Sequence, residues 1–234
     1  MANRAEQRTP EHRGPHYIDI HEVPPVPQEK IRLLTAGNDP ETLFHQESVG
    51  TMAEILARNQ GLDNLFRIHA KQTGDEHDCG KSDPRILPYL RADDDVSPSR
   101  ITSAEARLRI KPHARYGAQM AYEMGFPTLH VVTIRTHHNP RVGYEGFQGL
   151  TLIELSKIYG PDYLKVVEGL QIADSVHSAL VPHHNKPPKS ILELRNEIIE
   201  MMRRGRYNPE MEKPFLKMYE EVVEERQDLL AFAA

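Results

Sequence analysis

A histidine and an aspartate stand side by side in the stretch Glu76-His77-Asp78-Cys79-Gly80-Lys81. A neutral imidazole nitrogen and a carboxylate are both good ligands for a divalent metal ion. Lys81, three residues after the aspartate, offers a positive charge for a phosphate, and Gly80 would let the backbone turn sharply. A single His-Asp pair also occurs in ordinary polar turns, so this stretch predicts a metal site only if other segments supply further ligands.

Further candidate ligands lie on predicted helices. Glu41 and His45 are four residues apart and therefore share one helix face; for His45, a buried histidine bonded to the backbone is the alternative. Asp174 lies on an apolar helix stripe, where a carboxylate is costly unless it binds a metal or forms an ion pair. His113 and the pair His137-His138 lie at predicted helix ends. Helical folds commonly build metal sites from side chains of facing helices, so the series as a whole predicts such a site.

The segments that carry these residues have the pattern of helices. Apolar residues recur at spacings of three and four, and Asp39-Pro40 suits a helix start with the aspartate as N-cap. The alternation typical of strands is nearly missing, so we predict an all-α fold. Helices are predicted from Asp39-Pro40, from Leu62 to His77, from Ile101 to Pro112, from about Ala114, from Leu152 to Tyr159, from Pro161, from Ile191 to Arg204 and from Pro209 to about Leu230. Residues 1–30 are polar and proline-rich and predict an extended arm, and residues 31–234 predict one helical domain.

Composition narrows the classes of function. The chain has 234 residues and a net charge of −5, which argues against nonspecific binding of DNA. Its single cysteine excludes an intramolecular disulfide and fits a reducing cytoplasm. No apolar run reaches the roughly 20 residues of a membrane span, and the first residues lack the apolar stretch of a secretory signal. The 13 histidines are spread along the chain and are not one purification tag.

Five segments occur in an order that resembles a known family. They are His77-Asp78-Cys79-Gly80-Lys81, the segment from Ile101 through His113 to Gly117, the segment from His137-His138 to Gly149, the segment from Ile172-Ala173-Asp174 to Leu180, and Gly205-Arg206-Tyr207-Asn208-Pro209. Together they resemble the signature segments of the HD superfamily of metal-dependent phosphohydrolases, and specifically of its HD-GYP branch. The resemblance covers about residues 39–222.

The resemblance implies an HD-domain helical bundle with two or three divalent metal ions, iron or manganese first, with zinc, nickel or magnesium as alternatives. The residues that match the ligands of one ion are His45, His77, Asp78 and Asp174. Asp78 would bridge to a second ion, whose other matching ligands are His113, His137 and His138. Glu41 matches an additional ligand of three-metal members.

The activity implied by the resemblance is hydrolysis of a cyclic dinucleotide, such as the signalling nucleotide cyclic di-GMP, by a metal-bridging hydroxide. Asp78 and Lys81 would be the catalytic residues, and Lys81 and Tyr144 would contact the substrate. After Leu180 the branch usually carries an arginine that holds the phosphates. This chain has Lys186 and Lys189 there instead, and we expect these lysines to bind the substrate.

The loop that names the branch is altered in this chain. Asn139 stands where the branch has a glutamate after the paired histidines, and Glu145 stands where it has a proline. Three alternatives therefore stay open: a phosphohydrolase on another nucleotide or phosphoester, a catalytically weak domain that binds a nucleotide or a protein partner, and a di-iron oxygenase. The arm formed by residues 1–30 is a candidate surface for a protein partner, and a homodimer is a further alternative.

Overall fold

Helices make up all the regular structure that the chain shows in residues 17–90, 108–143, 149–180 and 189–225, the parts that a computed structural model describes. Within these parts the prediction of an all-α fold is confirmed. The α-helices are α1 (Gln28–Thr35), α2 (Pro40–Asn59), α3 (Asn64–Glu76), α4 (Leu87–Leu90), α5 (His113–Glu123), α6 (Thr128–Thr136), α7 (Leu152–Tyr159), α8 (Pro161–Leu180), α9 (Ile191–Arg203) and α10 (Glu212–Glu224). Short 3₁₀ turns lie at Ile20–Glu22, Cys79–Ser82 and Pro209–Met211.

Several predicted helix boundaries are confirmed. The side chain of Asp39 accepts a hydrogen bond from the Thr42 backbone N–H at 2.9 Å and so caps α2, as the Asp39-Pro40 pair predicts. Helix α7 covers the predicted segment in full. The segment around Ile101, where another helix start is predicted, lies outside the described residues.

Helices α2 and α3 form a hairpin at the centre of the fold. Gly61, with φ of 74°, and the N-cap Asp63 join them. Gly50 and Gly74 lie where the two helices meet, and a Cβ on Gly74 would lie 2.4 Å from the Gly50 Cα. The absence of side chains at this contact lets the backbones approach closely, which fixes the spacing of the two helices that carry His45 and His77.

The other helices pack around this hairpin. Helix α8 contacts α2 and α3, and α9 and α10 complete an apolar core with them. On the other side α5 packs against α6 and against the turn Cys79–Ser82. Among the described residues, no helix combines the length and the apolar character needed to cross a membrane. The layers leave the end of α3, the start of α5 and the end of α6 close together.

The described part of the predicted arm packs on the helices. Ile18, Ile20 and Val26 are buried. The side-chain amide of Gln72 accepts from the Val26 backbone N–H at 3.0 Å and donates to its carbonyl oxygen at 2.6 Å. Residues 17–27 are therefore held by both apolar and backbone contacts, whereas residues 1–16 lie outside the described part of the chain.

A chain of hydrogen bonds through the buried side chains of Glu76, His130 and His69 also reaches this segment. His69 donates from Nε2 to the Val23 carbonyl at 3.1 Å, so its Nδ1 accepts from His130 Nε2, also at 3.1 Å. His130 Nδ1 lies 2.5 Å from Glu76 Oε1, within hydrogen-bond distance. Burial, followed by the neighbouring His130, lowers the pKa of His69 to about 4. His69 is therefore neutral near pH 7 and serves as a structural link.

Candidate metal centre

Seven candidate ligands from distant parts of the sequence lie at or near the ends of helices or on a central helix. His45 lies on α2, His77 is the C-cap of α3, Asp78 is the next residue, His113 begins α5, His137 is the C-cap of α6, His138 is the next residue, and Asp174 lies on α8. Most of these side chains are buried, while that of His138 is exposed. The helix hairpin and its two flanking layers therefore bring together residues that sequence chemistry singled out.

The ligand atoms form two compact groups. One group consists of His45, His77 and Asp78, and the other of His113, His137 and His138. Within each group the nitrogen or oxygen atoms lie within 4.8 Å of one another. Asp174 Oδ1 lies 3.2 Å from His45 Nε2 and 4.0 Å from His77 Nε2, so it adds a carboxylate to the first group.

The Asp78 carboxylate lies between the two groups. Its Oδ1 is 3.0 Å from His113 Nε2 and 3.9 Å from His137 Nε2. Its Oδ2 is 3.5 Å from His45 Nε2 and 3.4 Å from His77 Nε2. Each oxygen thus faces a different set of imidazoles, which is the arrangement of a carboxylate that bridges two cations.

Backbone carbonyls select the imidazole tautomers. The Nδ1 atoms of His77, His113 and His137 each donate to the carbonyl oxygen three residues earlier, at 2.8, 2.8 and 2.7 Å. In a neutral imidazole whose Nδ1 carries the proton, Nε2 carries a free lone pair. Nε2 of His77 is buried without a hydrogen-bond partner, and Nε2 of His113 and of His137 lie 3.3 Å apart. Lone pairs so close repel unless a cation lies between them, so this donor set fits metal ions.

A further histidine, His177, orients His45. The Nδ1 atoms of the two rings lie 2.9 Å apart, so one of them donates to the other. When His45 presents an Nε2 lone pair to a metal, its Nδ1 carries the proton and His177 accepts it. Outer partners of this kind fix the ring orientation and the basicity of a ligating histidine. His177 lies three residues after Asp174 on α8, and sequence reasoning did not identify it as part of the site.

The charges in the centre favour ionised carboxylates and neutral imidazoles. Burial raises the pKa of Asp78, but Lys81 and the neighbouring histidines outweigh this effect, and its pKa lies well below the usual range. Burial lowers the pKa of His77 and of His137. Lys81 Nζ lies 2.5 Å from Asp78 Oδ2; burial disfavours its charge, but the carboxylate outweighs burial and raises its pKa. Lys81 therefore keeps a positive charge beside the bridging carboxylate.

Gly80 lies within the 3₁₀ turn Cys79–Ser82, and close packing requires a residue without a side chain there. It is not among the glycines with positive φ. A Cβ on Gly80 would lie 2.0 Å from the His113 carbonyl oxygen and 2.5 Å from the Gly117 backbone nitrogen. The absence of a side chain thus lets the 77–81 stretch lie directly on α5, which brings Asp78 to His113. Cys79 is fully buried beside this contact.

Other residues predicted for the site have different surroundings. Glu41 lies one helical turn before His45, outside both groups of ligand atoms. Lys189 forms an ion pair with Glu197. Tyr144 and Lys186 lie outside the described residues.

A cleft of about 100 Å³ opens beside the ligand groups. Its described lining includes the candidate ligands His137, His138 and Asp174 and, beyond them, Asn139, Pro140, Gln171, Ser175, Arg206 and Tyr207. Gln171 Nε2 donates at 2.7 Å to the carbonyls of both His137 and Asn139, which fixes the turn that presents the paired histidines. The cleft is thus a polar chamber whose inner wall contains the candidate metal ligands.

No family model matches the chain. A cyclic di-GMP phosphodiesterase of Thermotoga maritima is 26% identical to it over 202 residues, which make up 84% of this chain and 50% of that protein. The chain thus spans about half the length of this curated relative.

Solved structures of the HD domain of the L. monocytogenes phosphodiesterase PgpH are similar in fold. One has a TM-score of 0.56 and 19% identity and covers 83% of this chain and 95% of that one. Another, in complex with cyclic-di-AMP, has a TM-score of 0.55 and 16% identity and covers 83% and 94%. The fold of this chain is therefore that of an HD domain.

Proposed function

We propose that this chain is a metal-dependent phosphodiesterase that hydrolyses a cyclic dinucleotide such as cyclic di-GMP. The observation that carries the proposal is the Asp78 carboxylate, whose two oxygens face separate groups of imidazoles. Structural metal sites rarely need two adjacent cations, whereas paired cations suit the attack of water on a phosphodiester.

The geometry supports two ligand sets. We assign His45, His77, Asp78 and Asp174 to one ion, and Asp78, His113, His137 and His138 to the other. Glu41 stays a prediction for a third ion. A bound pair of divalent ions supplies a water of lowered pKa and neutralises charge on the phosphate oxygens.

The remaining chemistry belongs to side chains of the protein. Lys81 places a permanent positive charge beside Asp78, where phosphate oxygens gain negative charge during the reaction. The carbonyls that hold the Nδ1 protons of His77, His113 and His137 keep each ring in the ligating tautomer. Because these partners are backbone atoms, the centre is preorganised before substrate binds.

The substrate class rests on the named relatives and on the cleft. The Thermotoga maritima protein is named for cyclic di-GMP, and the PgpH domain was solved with cyclic-di-AMP. The cleft beside the candidate ligands is lined mostly by polar side chains, which suit a nucleotide. The paired histidines and the Gly205-Arg206-Tyr207-Asn208-Pro209 segment favour the HD-GYP branch, with iron or manganese as the first candidate metals.

The test measures bound metal and product together. The purified protein is analysed for iron, manganese, zinc and nickel and incubated with cyclic di-GMP and with cyclic-di-AMP. Asp78→Asn replaces the bridging carboxylate, and Asp162→Asn, which removes a carboxylate that pairs with Lys165 on the surface, is the matched control. We expect linear product from the wild type and the control and none from the Asp78 variant.

Other outcomes would reject the proposal in different ways. Tight nucleotide binding without turnover would make the chain a binding domain. Turnover of another phosphoester alone would replace the substrate, and oxygen consumption with bound iron would indicate an oxygenase. A metal content below two ions per chain would contradict the bridging role of Asp78.

A further inference from the structure

The wall of the cleft contains one permanently positive side chain among its described residues, that of Arg206. Arg206 is exposed, and no carboxylate in the described part of the chain forms an ion pair with it. Lys189, one of the lysines expected to bind phosphate, is paired with Glu197 and does not line the cleft. The described cleft therefore has a guanidinium available for an anion at a position that the motif comparison left without a role.

The backbone of Arg206 is held rigidly. Gly205 has φ of +73° and donates to the Met202 carbonyl at 2.9 Å, while the Arg206 N–H donates to the Met201 carbonyl at 2.9 Å. This pair of bonds is the Schellman motif that ends many helices. Arg206 thus emerges at a fixed point where α9 ends.

The next residue ties this point to the metal centre. Tyr207 is buried, and its hydroxyl lies 2.7 Å from Ser175 Oγ. Ser175 directly follows the candidate ligand Asp174 on α8. The backbone beside Arg206 is therefore tied to the end of α9 and, through Tyr207, to α8.

We infer that Arg206 binds the phosphate of a cyclic dinucleotide that is not being cleaved; this inference rests on the proposed function. The cleaved phosphate must contact the ligand groups and Lys81. Arg206 belongs to neither group and lines the same cleft beside Tyr207. A planar guanidinium recognises phosphate oxygens through two parallel hydrogen bonds, so Arg206 would select substrates that carry a second phosphate.

Kinetics on two substrates test this role. Arg206→Gln and Arg206→Lys are compared with Arg203→Gln, which removes an exposed arginine from the same helix end outside the described cleft lining. The substrates are the cyclic dinucleotide that the wild type hydrolyses best and bis(4-nitrophenyl) phosphate, which has a single phosphate. Melting temperature and metal content are measured for every variant.

For the dinucleotide we expect Arg206→Gln to raise KM about 10- to 100-fold with little change in kcat, because the contact is equal in the ground and transition states. Arg206→Lys should recover part of the loss, because it keeps the charge without the paired geometry. Both variants should hydrolyse bis(4-nitrophenyl) phosphate as the wild type does, and Arg203→Gln should match the wild type on both substrates.

The outcomes separate this inference from the proposed function. If the wild type hydrolyses neither phosphodiester, the proposed function fails. If the wild type hydrolyses the dinucleotide and Arg206→Gln leaves its KM unchanged, only the assignment of Arg206 is wrong. Equal losses on both substrates, or a loss of bound metal in Arg206→Gln and Arg206→Lys alike, would also overturn it, because Arg206 would then act on the cleaved phosphate or on the fold.

Discussion

Replacing Gly80 by alanine tests whether the close packing of the turn Cys79–Ser82 on α5 requires this glycine. The added Cβ would lie 2.0 Å from the His113 carbonyl oxygen, and ordinary contact begins at 3.4 Å. Both neighbours at this point, His113 O and Gly117 N, are backbone atoms and cannot rotate away. Helix α5 would therefore have to retreat by about 1.4 Å, carrying His113 away from Asp78.

Two measurements report this displacement. Overpacking of this kind lowers the free energy of unfolding by about 1–3 kcal/mol, which corresponds to roughly 2–4 °C in melting temperature for each kcal/mol in a chain of this length. The shift of His113 should also weaken metal binding by about 10- to 100-fold, as other losses of ligand support do. Metal affinity is measured by titration well below the melting temperature, so that unfolding does not contribute.

The matched control is Gly169→Ala. Gly169 lies inside α8, and an added Cβ would meet no heavy atom within 4 Å. Alanine should therefore leave the melting temperature unchanged or raise the free energy of unfolding by up to about 1 kcal/mol. If Gly80→Ala kept the stability and metal affinity of the wild type, the packing argument for this residue would be refuted.

Three further predictions concern the centre and its surroundings. His177→Ala should weaken metal binding about 10- to 100-fold, measured by competition with a chromogenic chelator, because His45 loses the partner of its Nδ1; an unchanged affinity would contradict this. Removal of metal should lower the melting temperature of the wild type, because bound ions stabilise the folded chain, but not that of Asp78→Asn, which lacks the carboxylate between the two groups. His69 has its pKa lowered to about 4, so unfolded chains bind its proton first and stability should fall by up to about 3 kcal/mol as the pH drops from 6.5 to 4. Glutamine does not titrate, so the free energy of unfolding of His69→Gln, measured by denaturation at several pH values, should lack this part of the pH dependence.

Local chemistry made much of the fold predictable. The start of α2 follows from Asp39-Pro40, because an N-cap and a first-turn proline act within a few residues. The candidate ligands could be chosen by residue type, because few types of side chain bind divalent metals. The chosen residues also lay on predicted helices or at their ends. That they form two groups, with Asp78 between them, could not be derived from spacing alone, since it depends on how the helices pack.

Long-range partners were the part that sequence reasoning missed. His177 lies 132 residues from His45, and no local pattern marks their contact. Lys189 was expected at the substrate, but Glu197 on the next helix pairs with it. Arg206 had no role in the motif comparison, and its place in the cleft wall became visible only when the end of α9 was placed against α8. Residue type thus indicated the chemistry, and packing decided which side chains are available for it.

The buried thiol of Cys79 can serve as a probe of local opening at the candidate metal centre. Its thiol is the only one in the sequence, it is fully buried beside the candidate ligands His77 and Asp78, and burial raises its pKa. A thiol reagent can therefore react only when this region opens, and the rate of labelling counts those openings. Ions bound to the neighbouring candidate ligands would make such openings rarer. The ratio of the labelling rates with and without metal would therefore report how strongly the ions stabilise the centre, and the assay needs no substrate.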